Sequence, residues 1–192
     1  MTRNKKIAIT GGIGSGKSLF CEILKEKGYS VFSCDSISKQ LRKDEEYLAL
    51  VKDAFPECVI NGSLSESALS ERVFSDEAAR KKLESISHPL IMQRLFAEME
   101  KRPISFAEVP LLFEGGFESS FDAVIALVRP KEARIESVIA RSALTREQVI
   151  LRMQSQFDYN RIAEKNCFVI ENNGTYENLK EKADEILSEL CL

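Results

Sequence analysis

The stretch ITGGIGSGKS, residues 9–18, decides the fold. Gly11, Gly12, Ile13, Gly14, Ser15, Gly16, Lys17 and Ser18 satisfy G-x-x-x-x-G-K-S/T in full. An apolar run, KKIAIT, precedes the glycines, and SLFCEILKE, a helix-forming run, follows them. Strand, glycine-rich turn and helix in that order aim a row of backbone N–H groups and a helix N-terminus at one anion. Lys17 adds a point charge for the outer phosphates, and Ser18 offers a hydroxyl to Mg²⁺. Gly12, Ile13, Gly14, Ser15, Gly16, Lys17 and Ser18 are therefore the expected ATP-binding residues. Mg²⁺ arriving with ATP is the expected cofactor.

Outward from the loop, short apolar runs alternate with longer segments of helical period, which predicts an α/β fold with a mainly parallel sheet. Five strands are expected, at 5–10, 29–33, 104–109, 122–128 and 167–172. Residues 18–27 and 131–141 read as crossover helices. Residues 44–102 are nearly all helical in pattern and twice as long as one crossover needs, so they read as a helical insertion, with Pro89 in the first turn of a new helix. In LTREQV, Thr145 can cap, Gln148 can reach back to it and Leu144 can pack on Val149. The terminal helix, 175–191, carries a core stripe of Leu179, Ala183, Ile186, Leu187 and Leu190. Phe55, Phe74 and Phe96 recur at helical spacing and are expected in the core.

Bulk properties narrow the function. The chain has 192 residues, 44% of them apolar and 30% charged, enough for one substantial core. A net charge of −3 argues against a broad nucleic-acid face. Five cysteines without a C-x-x-C pair and a single histidine, His88, argue against a Cys/His zinc site and for reduced thiols in the cytoplasm. No run approaches a membrane span, and nothing in the sequence calls for an obligatory protein partner.

A GTPase would need N-K-x-D and D-x-x-G, and neither is present. Small size, an acidic residue after the second strand and an arginine-bearing helical segment late in the chain favour a small-molecule kinase. Asp35 is that acidic residue. It can take the proton of an acceptor hydroxyl, or it can cap the helix that DSISKQL begins. Glu108, at the end of the third strand, can hold a Mg²⁺-bound water or stand exposed. Glu114 can hydrogen-bond a loop. Arg134, Arg141, Arg146, Arg152 and Arg161 form a charge run that reads as a solvated helix face.

GGIGSGKS, VFSCDSISKQL (31–41), NGSLSESALSERVFSD (61–76), LESISHPLI (83–91), VPLLFE (109–114) and VIENNG (169–174) together resemble the dephospho-CoA kinase family. The similarity runs over essentially the whole chain, and the HP and PLLFE elements discriminate it from other phosphate-loop families. The resemblance implies transfer of the ATP γ-phosphate to the ribose 3′-hydroxyl of dephospho-CoA, with ATP and dephospho-CoA as partners. It implies a nucleotide core (about 1–43, 103–130 and 166–192), a CoA-binding helical insertion (about 44–102) and a mobile lid (about 131–165). Asp35 inherits the acid–base role. Arg141 and Arg152 fall on lid arginines over the ATP phosphates or the adenine, Asn172 falls at the adenine end, and His88 falls in the substrate cleft or at a helix boundary. Arg134, Arg146 and Arg161 gain no role and are expected to face solvent.

The chain departs from the family pattern at Ser33, Glu66, Ser137, Ser142 and Asn166–Cys167. Those departures bear on substrate affinity and lid detail more than on Lys17, Ser18 or Asp35. Two rival readings are a kinase for another small alcohol or nucleoside monophosphate, and a nucleotide-binding homologue impaired in catalysis.

Overall fold

The computed structural model describes residues 4–192. Its elements are β1 (Lys5–Gly11), α1 (Lys17–Glu26), β2 (Ser30–Ser33), α2 (Cys34–Leu41), α3 (Glu45–Ala54), β3 (Val59–Ile60), β4 (Ser63–Leu64), α4 (Glu66–Ser75), α5 (Glu77–Met99), β5 (Ile104–Glu108), β6 (Ala123–Val128), α6 (Lys131–Arg141), α7 (Arg146–Gln154), β7 (Phe168–Glu171) and α8 (Tyr176–Glu189). All five expected strands form, and they build one sheet in the order β2-β5-β1-β6-β7. β1 pairs in parallel with β5 and β6, and β6 in parallel with β7. Ile9 stands opposite Glu108, and Gly11 opposite Leu127. Parallel pairing brings the C-terminal ends of these strands to one edge, where open α/β sheets bind their ligands.

β1 is buried from Ile7 onward because it has a neighbour on each side and helices over its faces. Phe20, Ile23 and Leu24 of α1 meet Leu179, Ala183, Ile186 and Leu187 of α8 in the same core as Ile7, Ile9, Phe106, Ile125, Leu127 and Ile170. Each large side chain so buried contributes about 1.5–3 kcal/mol before entropy is counted. Tyr29 packs edge-on to Phe106 with ring centroids 5.2 Å apart. A capping box starts α8, with Thr175 and Asn178 each accepting from the other's backbone N–H.

The chain divides into two compact units, Met1–Phe32 with Met99–Leu192, and Ser33–Glu98. The second has its own core of Leu41, Tyr47, Val51, Phe55, Cys58 and Ala79. Asp44 caps α3 by accepting from Tyr47 N at 3.1 Å. The antiparallel β3–β4 pair turns through Asn61 and Gly62, both at positive φ (51° and 77°), as a two-residue Asn-Gly hairpin requires.

Two expectations within this unit fail. Pro89 begins no new helix, since α5 runs unbroken from Glu77 to Met99 with Pro89 inside it. An interior proline costs a helix about 3 kcal/mol, but Leu83, Ile86, Leu90 and Ile91 pack on the unit's core on both sides of it and hold the helix through. Phe74 is not core: it is 94% exposed near the end of α4, while Phe55 is buried and Phe96 half-buried. Helical spacing identifies a stripe but not which residue overhangs its end.

Candidate active site

Residues 12–16 bridge the end of β1 and the start of α1. Ser15 N–H donates to Gly12 O at 3.1 Å, tightening the turn. Beneath it lies the buried Asn172, two bonds of which fix the floor: its N–H donates to Val128 O at 2.8 Å and its Nδ2 to Ser15 O at 2.9 Å. The side chain of Asn172 therefore braces the loop, and its neighbour Asn173 lines the adjoining cavity. Ser15 Oγ is buried without a hydrogen-bond partner among the described residues. A buried orphan hydroxyl costs about 1–3 kcal/mol, and an anion seated on the loop would satisfy it.

Lys17 Nζ donates to Gly11 O at 2.6 Å and Gly12 O at 3.2 Å, so the ammonium lies across the loop. Burial pulls its pKa down to about 8; Glu108 opposes the shift, and the charges of Arg134 and Arg141 add to it. Glu108 ends β5 and accepts a hydrogen bond from Ser18 Oγ at 3.2 Å. The hydroxyl and the carboxylate expected to serve the metal thus meet. Both are hard oxygen donors of the kind Mg²⁺ takes. Among the described residues no group of three or more His, Cys, Asp or Glu could hold a metal unaided.

Beside the loop, α7 opens with the expected capping box of Thr145 and Gln148. Ile135, Val138 and Val149 form a small core, and Leu144 and Ile13 pack on it. Both polar backbone groups of Ile13 are taken: its N–H donates to Gln156 Oε1 and its carbonyl accepts from Arg134 Nε, each at 2.8 Å. Arg134 is therefore not solvent-facing as expected, but half-buried against the phosphate loop. A charge run hides such a residue, because only the packing of α6 shows which face turns inward. Arg146 and Arg161 do face solvent, paired with Glu132 at 2.5 Å and Glu164 at 2.6 Å. Arg141 and Arg152 are exposed, in the last turns of α6 and α7.

A second set of ties follows α7. Tyr159 Oη lies 3.1 Å from Thr10 Oγ1, both buried, and burial pushes the phenol's pKa up to about 12. Glu114 makes the loop contact expected of it, its Oε1 accepting from Phe157 N–H at 2.7 Å. The Phe113 and Phe157 rings are 4.8 Å apart, and Lys165 Nζ sits 4.9 Å from the centre of the first while pairing with Glu118 at 2.7 Å. No sequence signal marked Gln156 or Tyr159. A cavity of about 590 Å³ opens here, lined by Val128, Arg134, Ile150, Met153, Tyr159 and Asn173 among others.

In the Ser33–Glu98 unit, Asp35 is exposed in the first turn of α2, and the N-cap position belongs to Ser33. Its carboxylate faces the favourable end of the helix dipole without itself being the cap. His88 lies half-buried on α5 next to Ser87, whose Oγ is 3.0 Å from Tyr47 Oη. A cavity of about 460 Å³ in this unit is lined by Arg42, Tyr47, Lys52, Glu66 and Ser87 among others.

Residues 5–178 match the family model described as dephospho-CoA kinase. A relative named dephospho-CoA kinase from Thermus thermophilus is 37% identical over 186 residues, 96% of this chain and 91% of its own. Among solved structures, a Thermus thermophilus crystal structure superimposes with a TM-score of 0.85 at 36% identity, covering 98% of both chains. The dephospho-CoA kinase from Campylobacter jejuni does so with a TM-score of 0.71 at 26% identity, again over 98% of both.

Proposed function

The chain belongs to the dephospho-CoA kinase family, and from that premise we propose how its residues divide the transfer of the ATP γ-phosphate to the 3′-hydroxyl of dephospho-CoA. The backbone N–H groups of Gly14 to Ser18, the Ser15 hydroxyl and Lys17 hold the β- and γ-phosphates. Ser18, through its hydroxyl, and Glu108, through a water, are the residues that would hold Mg²⁺. Mg²⁺, when bound, offsets phosphate charge as it builds up. Asp35 takes the proton of the 3′-hydroxyl as the ribose oxygen bonds to the γ-phosphorus and the bond to the β–γ bridging oxygen breaks, ADP leaving with the electron pair. Arg141 and Arg152 neutralise charge on the transferring group, Asn172 supports the nucleotide end of the loop, and His88 contacts the acceptor.

The single observation that carries this reading is the Ser18–Glu108 hydrogen bond beside a lysine laid across the phosphate loop. No helix among the described residues is long and apolar enough to cross a membrane, and five free thiols support a cytoplasmic enzyme. The test is Asp35→Asn, with ADP release measured against dephospho-CoA and ATP binding measured separately. Turnover falls by two or more orders of magnitude while ATP affinity stays within about threefold. Wild-type turnover in that variant would leave Asp35 a helix-end carboxylate, and phosphorylation of AMP in place of dephospho-CoA would overturn the acceptor.

A further inference from the structure

Arg134 has the chemistry of a ligand-binding residue. Its Nε is committed to the Ile13 carbonyl at 2.8 Å, which leaves both Nη groups. The guanidinium lies so close over Gly12 that a Cβ there would collide with it, and only glycine admits this approach. Among the described residues no carboxylate pairs with it, although its neighbours on the charge run find partners in Glu132 and Glu164. Burial disfavours its charge. A half-buried, unpaired cation on a phosphate loop is a costly arrangement unless something occupies the space beside it.

That space is the 590 Å³ cavity, within the range of small-molecule sites. Its walls combine the aliphatic Val128, Ile150 and Met153 and the ring of Phe157 with the amide of Asn173, and charged groups, Asp158 and Glu171 among them, also line it. Aliphatic and aromatic walls edged by a planar cation, amides and carboxylates suit a flat heteroaromatic ring that also carries hydrogen-bonding edges and a ribose. Guanidinium groups stack on such rings. Because Arg134 belongs to both the loop and the cavity wall, the ligand it fits is anionic at one end and planar at the other.

Resting on the assignment of the phosphate loop above, we propose that Arg134 is a nucleotide-binding residue: Nε holds the loop, and the guanidinium face and Nη groups receive the base and ribose end of ATP. The role is affinity and not chemistry, so it is read as a split between kinetic constants. Inorganic tripolyphosphate, which has no base, serves as a probe of the loop alone.

Arg134→Ala and Arg134→Gln are compared with the wild type for ATP KM, kcat, dephospho-CoA KM and inhibition by tripolyphosphate. Gln keeps an amide donor for Ile13 and removes the charge and the stacking plane. The expected result is an ATP KM raised about tenfold in both variants, with kcat, dephospho-CoA KM and, in the Gln variant, tripolyphosphate inhibition within about twofold of wild type. An unchanged ATP KM overturns the proposal, and so does an equal loss of ATP and tripolyphosphate affinity in the Gln variant, which would make Arg134 a loop support only. Lys17→Ala is the control for the underlying assignment. Weakened binding of both ATP and tripolyphosphate is expected there, and unaltered binding of both would overturn the phosphate loop itself.

Discussion

Ser18 Oγ, on the first turn of α1, donates to Glu108 Oε1, on the last residue of β5, at 3.2 Å. Two elements separated by ninety residues of sequence present a hydroxyl and a carboxylate to one point because β1 and β5 pair in parallel and finish together. Removing either group should raise the Mg²⁺ concentration needed for half-maximal activity. For Glu108→Gln and Ser18→Ala the expected shift is about tenfold or more, with excess Mg²⁺ recovering part of the rate. Titration of activity with Mg²⁺ at fixed ATP checks it, and unchanged Mg²⁺ dependence in both variants would detach the pair from the metal.

Lys17 should couple nucleotide binding to protons. Its pKa in the free protein is about 8, below its ordinary 10.5, and phosphate beside it favours the charged form and raises that value. Binding at pH 9 therefore takes up a proton, whereas at pH 6.5 the ammonium is already charged and this uptake vanishes. Calorimetry of ATP binding in buffers of different ionisation enthalpy measures it. The sign for folding follows: between about pH 8 and 10.5 the unfolded chain holds more protons at this site, so its contribution to stability rises with pH.

Tyr159→Phe deletes the hydroxyl that meets Thr10 and leaves the ring in place. The net cost is about 1 kcal/mol, a fall in Tm of about 2–4 °C for a chain of this size. Thermal unfolding followed by circular dichroism gives the number. A Tm equal to wild type would mean that Thr10 finds another partner.

Pro89→Ala should stabilise the protein. Pro89 is exposed in the interior of α5, where its ring denies the helix one N–H. Alanine restores that hydrogen bond and improves helix propensity, so a gain of about 1–3 kcal/mol and a Tm higher by several degrees are expected. A lower Tm would assign the proline ring a packing role.

What the sequence made legible was whatever chemistry is local. The strands at 5–10 and 122–128 announce themselves as apolar runs, and Thr145 with Gln148 forms its capping box from residues three apart. Lys17, Ser18 and Glu108 were readable because a motif or a strand end fixes them. Pro89, Phe74 and Arg134 were misread for one reason: each depends on what distant segments pack against it. The contacts of Gln156 with Ile13 and Tyr159 with Thr10 span 143 and 149 residues, and no pattern in one sequence encodes such a pairing. The Asn61-Gly62 hairpin, by contrast, carried a local signal that the helical pattern of its surroundings masked.

Ile13 is the residue through which the phosphate loop becomes particular to this protein. Its N–H is spoken for by Gln156, its carbonyl by Arg134, and its side chain is seated beside Ile135, Val138 and Val149, so the loop is held from three sides at this one residue. The first two ties run through the backbone, so they survive any substitution at position 13 except proline and are lost only by changes at 134 or 156, whereas the packing depends on the side chain at 13 itself. A loop motif transplanted from another kinase would find the two polar anchors waiting and lose only the packing, because the anchors belong to the segments that receive the loop and not to the motif.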